Sequence, residues 1–322
     1  MLRRHTFLMA PVAAAAALLA GAPAVLSDEF PEDSIEMTEL FGAGSSSDLT
    51  ARVVAEGMAA ELRVPVVVVN RPGGGGAVGY SHVSNQPAAG YDLVWMSDSV
   101  LTTHHSGNID FDYTAFTPIA RVCQEVPALA VHTDSGWNTF DDFIAAAKER
   151  PGEMKVGISG NGSFTHLASE ALFNQAGIET RYVPYGKGNA AVELLGGRID
   201  AALQWPSVFK SHAEAGDLRM LVVTSEEPVP SVPDVPTAKD EGHDVNLVLW
   251  RGVAAPKGTP DAVVEKLDAA VAAAVESEHF QEASTRIGCL PAYLPAAEFA
   301  DFIGQKDQEI ASIMEELGIK RQ

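Results

Sequence analysis

The chain has 322 residues, of which 46% are hydrophobic, and it carries a formal net charge of −21. This length suits two domains of ordinary size, and the hydrophobic content is sufficient for well-packed cores. The electrostatic field of this net charge repels nucleic acids and anionic lipid surfaces. We therefore expect no nucleic-acid partner. The same field opposes an anionic ligand, which would have to be held by local hydrogen-bond donors.

Residues 1–24 have the pattern of a secretion signal. Arg3 and Arg4 form a basic start, an apolar run extends from Phe7 to Ala20, and Ala22-Pro23-Ala24 offers a cleavage site. We therefore expect a periplasmic protein that is soluble once the signal has been removed. The arginine pair is near a twin-arginine signal, but its aromatic residue stands one place late, so the export route stays open. An uncleaved membrane anchor is the alternative interpretation.

Strand and helix patterns alternate from residue 35 onward. Ile35–Phe41 is the first predicted strand, and Asp48 is a cap or first-turn acid for a helix that extends to about Leu62. Leu49 is expected on the buried face of this helix. The β-branched run Val64–Val69 predicts a buried parallel strand.

A glycine-rich segment follows, with Asn-Arg-Pro-Gly-Gly-Gly-Gly-Ala-Val-Gly at residues 70–79. Gly74, Gly76 and Gly79 fit the G-x-G-x-x-G pattern of dinucleotide-binding proteins. We reject that interpretation because Arg71-Pro72 separates strand from glycines and because any run of four glycines fits easily. The glycines are better explained as letting the backbone approach a ligand or another loop closely.

The remaining elements predict an α/β fold with largely parallel sheets. The predicted strands cover residues 91–97, 116–132, 154–158, 182–185, 199–203, 220–224 and 245–255. The predicted helices cover residues 141–150, 164 onward, 189–195, 260–277 and 296–317. The side chains of adjacent residues point apart, so two neighbouring histidines rarely bind the same metal ion. His104-His105 is therefore interpreted as a solvated loop, and we expect neither a metal nor a cofactor.

One phrase occurs twice, in the two halves of the chain. Residues 42–49 read Gly-Ala-Gly-Ser-Ser-Ser-Asp-Leu, and residues 160–167 read Gly-Asn-Gly-Ser-Phe-Thr-His-Leu. A glycine turn that opens a helix presents unpaired N–H groups at the positive end of the helix dipole, where an anion can bind. The matched pair predicts two lobes that hold one anionic ligand between them. Ordinary turn chemistry before a capped helix is the alternative.

Cys123 and Cys289 are the two cysteines of the chain. In an oxidising compartment they could pair and close a long loop. The sequence does not tell whether their Cα atoms approach closely enough. We expect two free, buried thiols, with the disulfide as the alternative.

The first phrase and the glycine run together resemble a known family. Residues 44–52 and 69–76 resemble the opening of the solute receptors of tripartite tricarboxylate transporters, the TctC or Bug family. Later landmarks of the resemblance are Ala89-Gly90-Tyr91, residues 116–120, Gly162-Ser163 with His166-Leu167, Val183-Pro184-Tyr185, residues 196–200 and residues 255–260. Together they cover nearly the whole mature chain, in order.

The resemblance implies a periplasmic Venus-flytrap protein of type II, with a hinge between its lobes. Residues 28–125 and 250–322 would form a discontinuous first lobe, and residues 126–249 the second. Such a protein captures a small carboxylate and delivers it to the membrane subunits of its transporter. We expect a monomer without enzymatic activity.

The resemblance also implies which residues contact the ligand. In the first lobe these are Phe41, Ala43, Gly44, Ser45, Ser46, Gly74 and Ser97. In the second lobe they are Ser159, Asn161, Gly162, Ser163, Tyr185 and Gln204, with His166 as a further candidate. His166 is expected to fix the second loop rather than to meet the ligand, and Asp48 to be a structural cap.

The chain departs from the family pattern in its first strand, where Glu36, Glu39 and Phe41 replace an apolar run ending in proline. Glu39 could repel a second carboxylate or pair with a ligand ammonium group, which leaves open whether the ligand is a mono-, di- or tricarboxylate.

Two rival functions remain. One is a sensory receptor of the same fold, and the other is a secreted hydrolase that uses Ser163 and His166, although no G-x-S-x-G elbow is present.

Overall fold

The structure is a computed structural model that describes residues 30–185 and 190–318. The predicted signal segment lies outside the described residues, as do Gly186–Asn189, to which the sequence assigns a loop and a helix cap.

The described ranges contain eleven strands and ten α-helices. The strands are β1 Ile35–Glu39, β2 Val66–Asn70, β3 Asp92–Ser97, β4 Phe116–Glu125, β5 Ala128–His132, β6 Lys155–Ile158, β7 Arg181–Pro184, β8 Ala201–Gln204, β9 Leu218–Val223, β10 Leu249–Pro256 and β11 Leu290–Pro295. The helices are α1 Ser46–Leu62, α2 Ala77–Ser84, α3 Ser99–His105, α4 Phe140–Glu149, α5 Phe164–Ala176, α6 Ala190–Leu195, α7 Pro206–Glu214, α8 Asp261–Glu276, α9 Glu278–Ile287 and α10 Ala296–Glu316.

The strands form two separate sheets, and each sheet with its helices is called a lobe here. The first lobe has the six-stranded order β11-β4-β10-β3-β1-β2, and the second lobe has the five-stranded order β7-β6-β8-β5-β9. The first sheet takes strands from both ends of the chain, whereas the second takes its strands from the middle. The predicted two-lobed α/β fold is therefore confirmed.

The expectation of largely parallel sheets is wrong, because both sheets are mixed. β1 pairs in parallel with β2 and β3, but β10 runs antiparallel to β3 and β4. In the second sheet, β5 runs antiparallel to β8 and β9. The chain leaves the first sheet along β4 and returns along β10, so the returning strand enters the sheet in the opposite direction.

The expectation of a fully buried strand at Val64–Val69 is also wrong. β2 pairs with β1 alone and lies at the edge of its sheet. No residue of β2 is fully buried, and the Val67 side chain is exposed. A β-branched run indicates a strand, but the position of that strand in the sheet depends on which other strands pair with it.

The two cysteines form a disulfide, which corrects the expectation of free thiols. Cys123 lies on β4 and Cys289 stands directly before β11, and their Cα atoms are 5.6 Å apart. β11 pairs with β4 in a register that sets Pro291 opposite Cys123. This strand was not predicted from the sequence, and its pairing is what brings the two cysteines within bonding distance.

Helix α10 covers the first sheet by close packing on β10. The ring of Phe299 lies edge-on to buried Trp250, with centroids 5.2 Å apart. A Cβ atom at Gly252 would lie 2.5 Å from the Ala120 carbonyl oxygen and 2.5 Å from the Phe299 ring, so only glycine fits there. Over residues 30–185 and 190–318, no helix combines the length and apolar character needed to cross a membrane.

Candidate functional site

A cavity of about 490 Å³ lies between the two lobes. Both copies of the repeated phrase border it, as the sequence predicts. Of the candidate residues, the cavity is lined by Phe41, Ala43, Gly44, Ser45, Ser46, Ser97, Ser159, Ser163, Tyr185 and Gln204. Both phrases therefore contribute to the wall of a single cavity.

The two copies of the phrase adopt the same backbone conformation. Gly44 and Gly162, at equivalent positions, have φ of +81° and +73°. Such values strain any residue with a Cβ atom, so glycine is required at both places. The serine that follows each glycine is the N-cap of a helix, with Ser45 before α1 and Ser163 before α5. We call residues 42–48 turn 1 and residues 160–166 turn 2.

Each turn is closed by two equivalent hydrogen bonds. In turn 1, Ser45 Oγ accepts from the Asp48 N–H at 3.2 Å, and Asp48 Oδ2 accepts from the Gly44 N–H at 2.9 Å. In turn 2, Ser163 Oγ accepts from the His166 N–H at 3.3 Å, and His166 Nδ1 accepts from the Gly162 N–H at 3.2 Å. Asp48 and His166 thus hold their turns in the same way, which is the structural role expected of both.

These bonds leave hydrogen-bond donors for a ligand. The first two N–H groups of each helix, at Ser46 and Ser47 and at Phe164 and Thr165, have no acceptor within the helix. Ser45 Oγ accepts through its oxygen, so its proton remains available to donate. Ser163 Oγ also lies 3.1 Å from Thr165 Oγ1, and its proton is available when Thr165 is the donor of that bond. The helix dipoles add partial positive charge at the same ends of α1 and α5.

A chain of hydroxyl groups reaches the cavity from the first lobe. Ser97 Oγ lies 2.9 Å from Ser99 Oγ, which lies 2.8 Å from the Tyr80 hydroxyl. Ser97 and Ser99 line the cavity, while Tyr80 is fully buried behind them. Burial raises the pKa of Tyr80 far above its usual range, so it is a neutral hydroxyl that orients the two serines.

The second lobe contributes an amide and two aromatic rings. Gln204 ends β8, and its Oε1 accepts from Ser159 Oγ at 3.1 Å. Tyr185 directly follows β7, and Trp205 directly follows Gln204. Both rings line the cavity rather than only packing in the core.

Four candidate residues do not line the cavity: Gly74, Asn161, Gly162 and His166. Asn161 and Gly162 belong instead to a contact between the lobes on the far side of turn 2. A Cβ atom at Gly162 would lie 3.3 Å from Ser106 Oγ, and one at Gly75 would lie 4.0 Å from the Asn161 carbonyl oxygen. The glycine run thus approaches another loop closely, one of the two uses expected of it.

A buried ion pair that was not predicted from the sequence supports turn 1. Arg251, on β10, donates from Nε to Glu125 Oε2 at 2.5 Å and from Nη1 to Ser47 Oγ at 2.9 Å. Ser46 Oγ donates to the other oxygen of Glu125. The side chains of Arg251 and Glu125 are 2% and 1% exposed, and Arg251 also lines the cavity. The signal in the sequence was an arginine inside an apolar strand, since a buried charge requires a partner.

Glu39 does not face the cavity. Its Oε1 accepts from the Phe41 N–H at 3.1 Å, and its side chain is completely buried at the end of β1. Burial raises the pKa of Glu39 to about 7, although nearby Arg251 opposes the rise. Glu39 therefore lies behind turn 1, where it cannot pair directly with a ligand ammonium group, one of the two roles considered for it.

We predict that Glu39→Gln stabilises the protein more as the pH rises. Folded Glu39 keeps its proton up to pH 7, whereas the unfolded chain releases it near 4.5. The wild type therefore loses stability between these two values as the pH rises, because there the unfolded state binds fewer protons. The difference in the free energy of unfolding between variant and wild type should grow from near zero at pH 4.5 to about 3 kcal/mol at about pH 8.

Urea denaturation at several pH values measures this difference. The comparison has to be between variant and wild type, because burial also raises the pKa of Asp98 to about 7 and adds to the pH dependence of both proteins. A difference that stays constant with pH would show that Glu39 is ionised in the folded state.

The geometry of Ser163 and His166 does not fit a hydrolase. His166 Nδ1 is occupied as the acceptor of the Gly162 N–H, and Nε2 lies 3.7 Å from Glu170 Oε1. A base for Ser163 would need a free ring nitrogen directed at Ser163 Oγ.

Among residues 30–185 and 190–318, no group of three or more His, Cys, Asp or Glu side chains is placed to hold a metal ion.

Two α/β lobes that enclose a donor-lined cavity define the class of two-lobed solute-binding proteins. The sequence model described as tripartite tricarboxylate transporter family receptor (TctC) matches residues 50–319. The chain belongs to this family of periplasmic receptors, as its motifs indicate.

Relatives and solved structures agree with this assignment. BugT from Bordetella pertussis is 31% identical over 302 residues, covering 92% of this chain and 93% of BugT. A structure from R. palustris with adipate matches with a TM-score of 0.84 at 26% identity, covering 91% of this chain and 100% of that one. The structure of MatC from Rhodopseudomonas palustris with bound malate matches with a TM-score of 0.78 at 25% identity, covering 89% and 99%.

Proposed function

We propose that this protein captures a small carboxylate between its two lobes, without chemical change, and delivers it to the membrane subunits of a tripartite tricarboxylate transporter. The observation that carries the proposal is the pair of equivalent turns that border one cavity. A carboxylate placed between them would accept charge-assisted hydrogen bonds from both helix starts, which are stronger than bonds between neutral groups. The adipate and malate held by the two similar structures support this ligand class.

The proposed ligand contacts are the candidate residues that line the cavity, joined by Ser99 and Trp205. Gly74, Asn161, Gly162 and His166 would instead hold the turns and the contact between the lobes. Ordered water would bridge to groups beyond direct reach.

The lobes would close by rotation about the two chain crossings. We place the crossings at residues 125–126 and 249–250, so that residues 28–125 and 250–322 move as one lobe and residues 126–249 as the other. A ligand that contacts both lobes favours the closed form, which the transporter would recognise.

The proposed site of action is the periplasm, reached by cleavage of the signal at residues 1–24. The buried disulfide supports this location, because disulfides persist in oxidising compartments. A receptor that diffuses to its membrane transporter needs no second copy to hold the ligand, so we propose a monomer.

Replacing the cap serines tests the proposed anion site. Glycine is itself a fair N-cap, so Ser45→Gly and Ser163→Gly should cost only a few tenths of a kcal/mol in stability. Each variant loses a hydroxyl donor to a charged ligand, so its carboxylate affinity should fall about tenfold or more. Mass spectrometry of small molecules released from the purified protein first identifies the acid. The protein is then unfolded and refolded to remove carried-over ligand, and isothermal titration measures the affinity.

Ser277→Gly is the matched control, because Ser277 caps α9 and does not line the cavity. Its ligand affinity should equal that of the wild type. If Ser45→Gly and Ser163→Gly also bind like the wild type, the turns are not the anion site. If no carboxylate binds to the stripped wild type, the proposed function is wrong.

A further inference from the structure

Most of the cavity wall is apolar. The first lobe contributes Phe41, Leu49 and Ile287, and the second lobe contributes Phe164 and Trp205. Leu49 stands at the start of α1, and its side chain is 46% exposed, contrary to its expected place in the core. An apolar ligand that covers an exposed leucine at the edge of the cavity removes apolar surface from water, which stabilises the complex.

The charged side chains that line the cavity offer poor support for a second carboxylate. Among the described lining residues these are Arg251 and Arg286. The Arg251 guanidinium already bonds to Glu125 and Ser47, and a second carboxylate would have to compete with that buried pair. Arg286 is exposed near the end of α9, where water and salt weaken its attraction for an anion.

The size of the cavity also argues for a ligand with a substantial body. A volume of about 490 Å³ lies within the range of pockets that enclose ligands of drug-like size, roughly 300–1,000 Å³. A short, fully hydrated acid would leave the apolar wall in contact with water. A ring or an alkyl chain would displace that water and bury the wall.

We propose that the ligand is an organic acid with a single carboxylate and an apolar body the size of a ring or a medium alkyl chain. This inference rests on the proposed function and narrows its substrate class. The carboxylate binds between the two turns, and the body packs against Leu49, Phe164 and Trp205.

Isothermal titration with matched acids tests the inference. Hexanoate and adipate differ only in whether the far end is a methyl group or a carboxylate, and 4-methylbenzoate and terephthalate form a second such pair. Each monoacid should bind at least about tenfold more tightly than its diacid, because no described lining residue offers a free, buried cation to offset the desolvation of the second charge. From butanoate to hexanoate the affinity should rise about fifteenfold, or about fourfold for each buried CH₂ group.

A variant of the wall gives independent evidence. Leu49→Ser should weaken hexanoate binding about fivefold, because it removes apolar contact area. Val192→Ser is the matched control, since Val192 is similarly exposed, at 45%, and does not line the cavity. This control should bind hexanoate like the wild type.

The outcomes separate this inference from the proposed function. Tighter binding of adipate or malate than of every monoacid would overturn the inference and leave carboxylate capture standing. Equal hexanoate affinity in Leu49→Ser and the wild type would also overturn it. Failure of every acid to bind would refute both the inference and the proposed function.

Discussion

Arg251→Met is expected to lower the free energy of unfolding by about 3–5 kcal/mol. The substitution leaves the carboxylate of Glu125, which is 1% exposed, without its positive partner. It also removes the donor to Ser47, and Glu125 is the acceptor for Ser46, so turn 1 would lose part of its support. Chemical denaturation of ligand-free protein measures the loss.

The double variant Arg251→Met/Glu125→Gln should recover a large part of this loss, because the second change removes the buried charge that the first one strands. Arg198→Met is the matched control, since Arg198 forms an ion pair with Glu193 but is 67% exposed. Its effect should be far smaller than that of Arg251→Met, because water screens an exposed ion pair. If the double variant is no more stable than Arg251→Met, the cost does not arise from the unpaired carboxylate.

Removing the disulfide through Cys123→Ala/Cys289→Ala should lower the free energy of unfolding by about 3–5 kcal/mol. The bond links residues 166 positions apart. Restricting so long a loop in the unfolded chain contributes about 5 kcal/mol by the loop-entropy relation, and measured losses for native disulfides are about 2–5 kcal/mol. Denaturation with and without reductant gives the size of the effect.

Reductant supplies the internal control for this experiment. It should destabilise the wild type by nearly the same amount and leave the double variant unchanged, because the variant has no other cysteines. Equal stability of the variant and the oxidised wild type would mean that the bond does not restrict the unfolded chain.

The repeated phrase shows what could be predicted locally. Glycine at a positive φ, a serine cap, and an acceptor three residues after the cap form a motif complete within five residues. The sequence therefore predicted both helix starts and the structural roles of Asp48 and His166. It also predicted the two-lobed fold and the receptor family, which the family match confirms.

Features that join distant parts of the chain were predicted less well. β11 and α9 were absent from the predicted elements, and the disulfide was only the alternative to free thiols, because nothing in the sequence placed Cys289 near β4. β2 was expected to be buried because its composition is β-branched, yet it lies at a sheet edge. In each case the outcome depends on which strands become neighbours.

The sequence by itself determined the two donor-lined turns, because every hydrogen bond that closes them lies within five consecutive residues. Tertiary structure alone decided that Arg251 meets Glu125, 126 residues away, and that Leu49 faces the cavity instead of the core. The physical reason is that burying a charge is favourable only beside an opposite charge, and exposing a leucine is favourable only where an apolar ligand can cover it. Which partner is available depends on how the two sheets assemble.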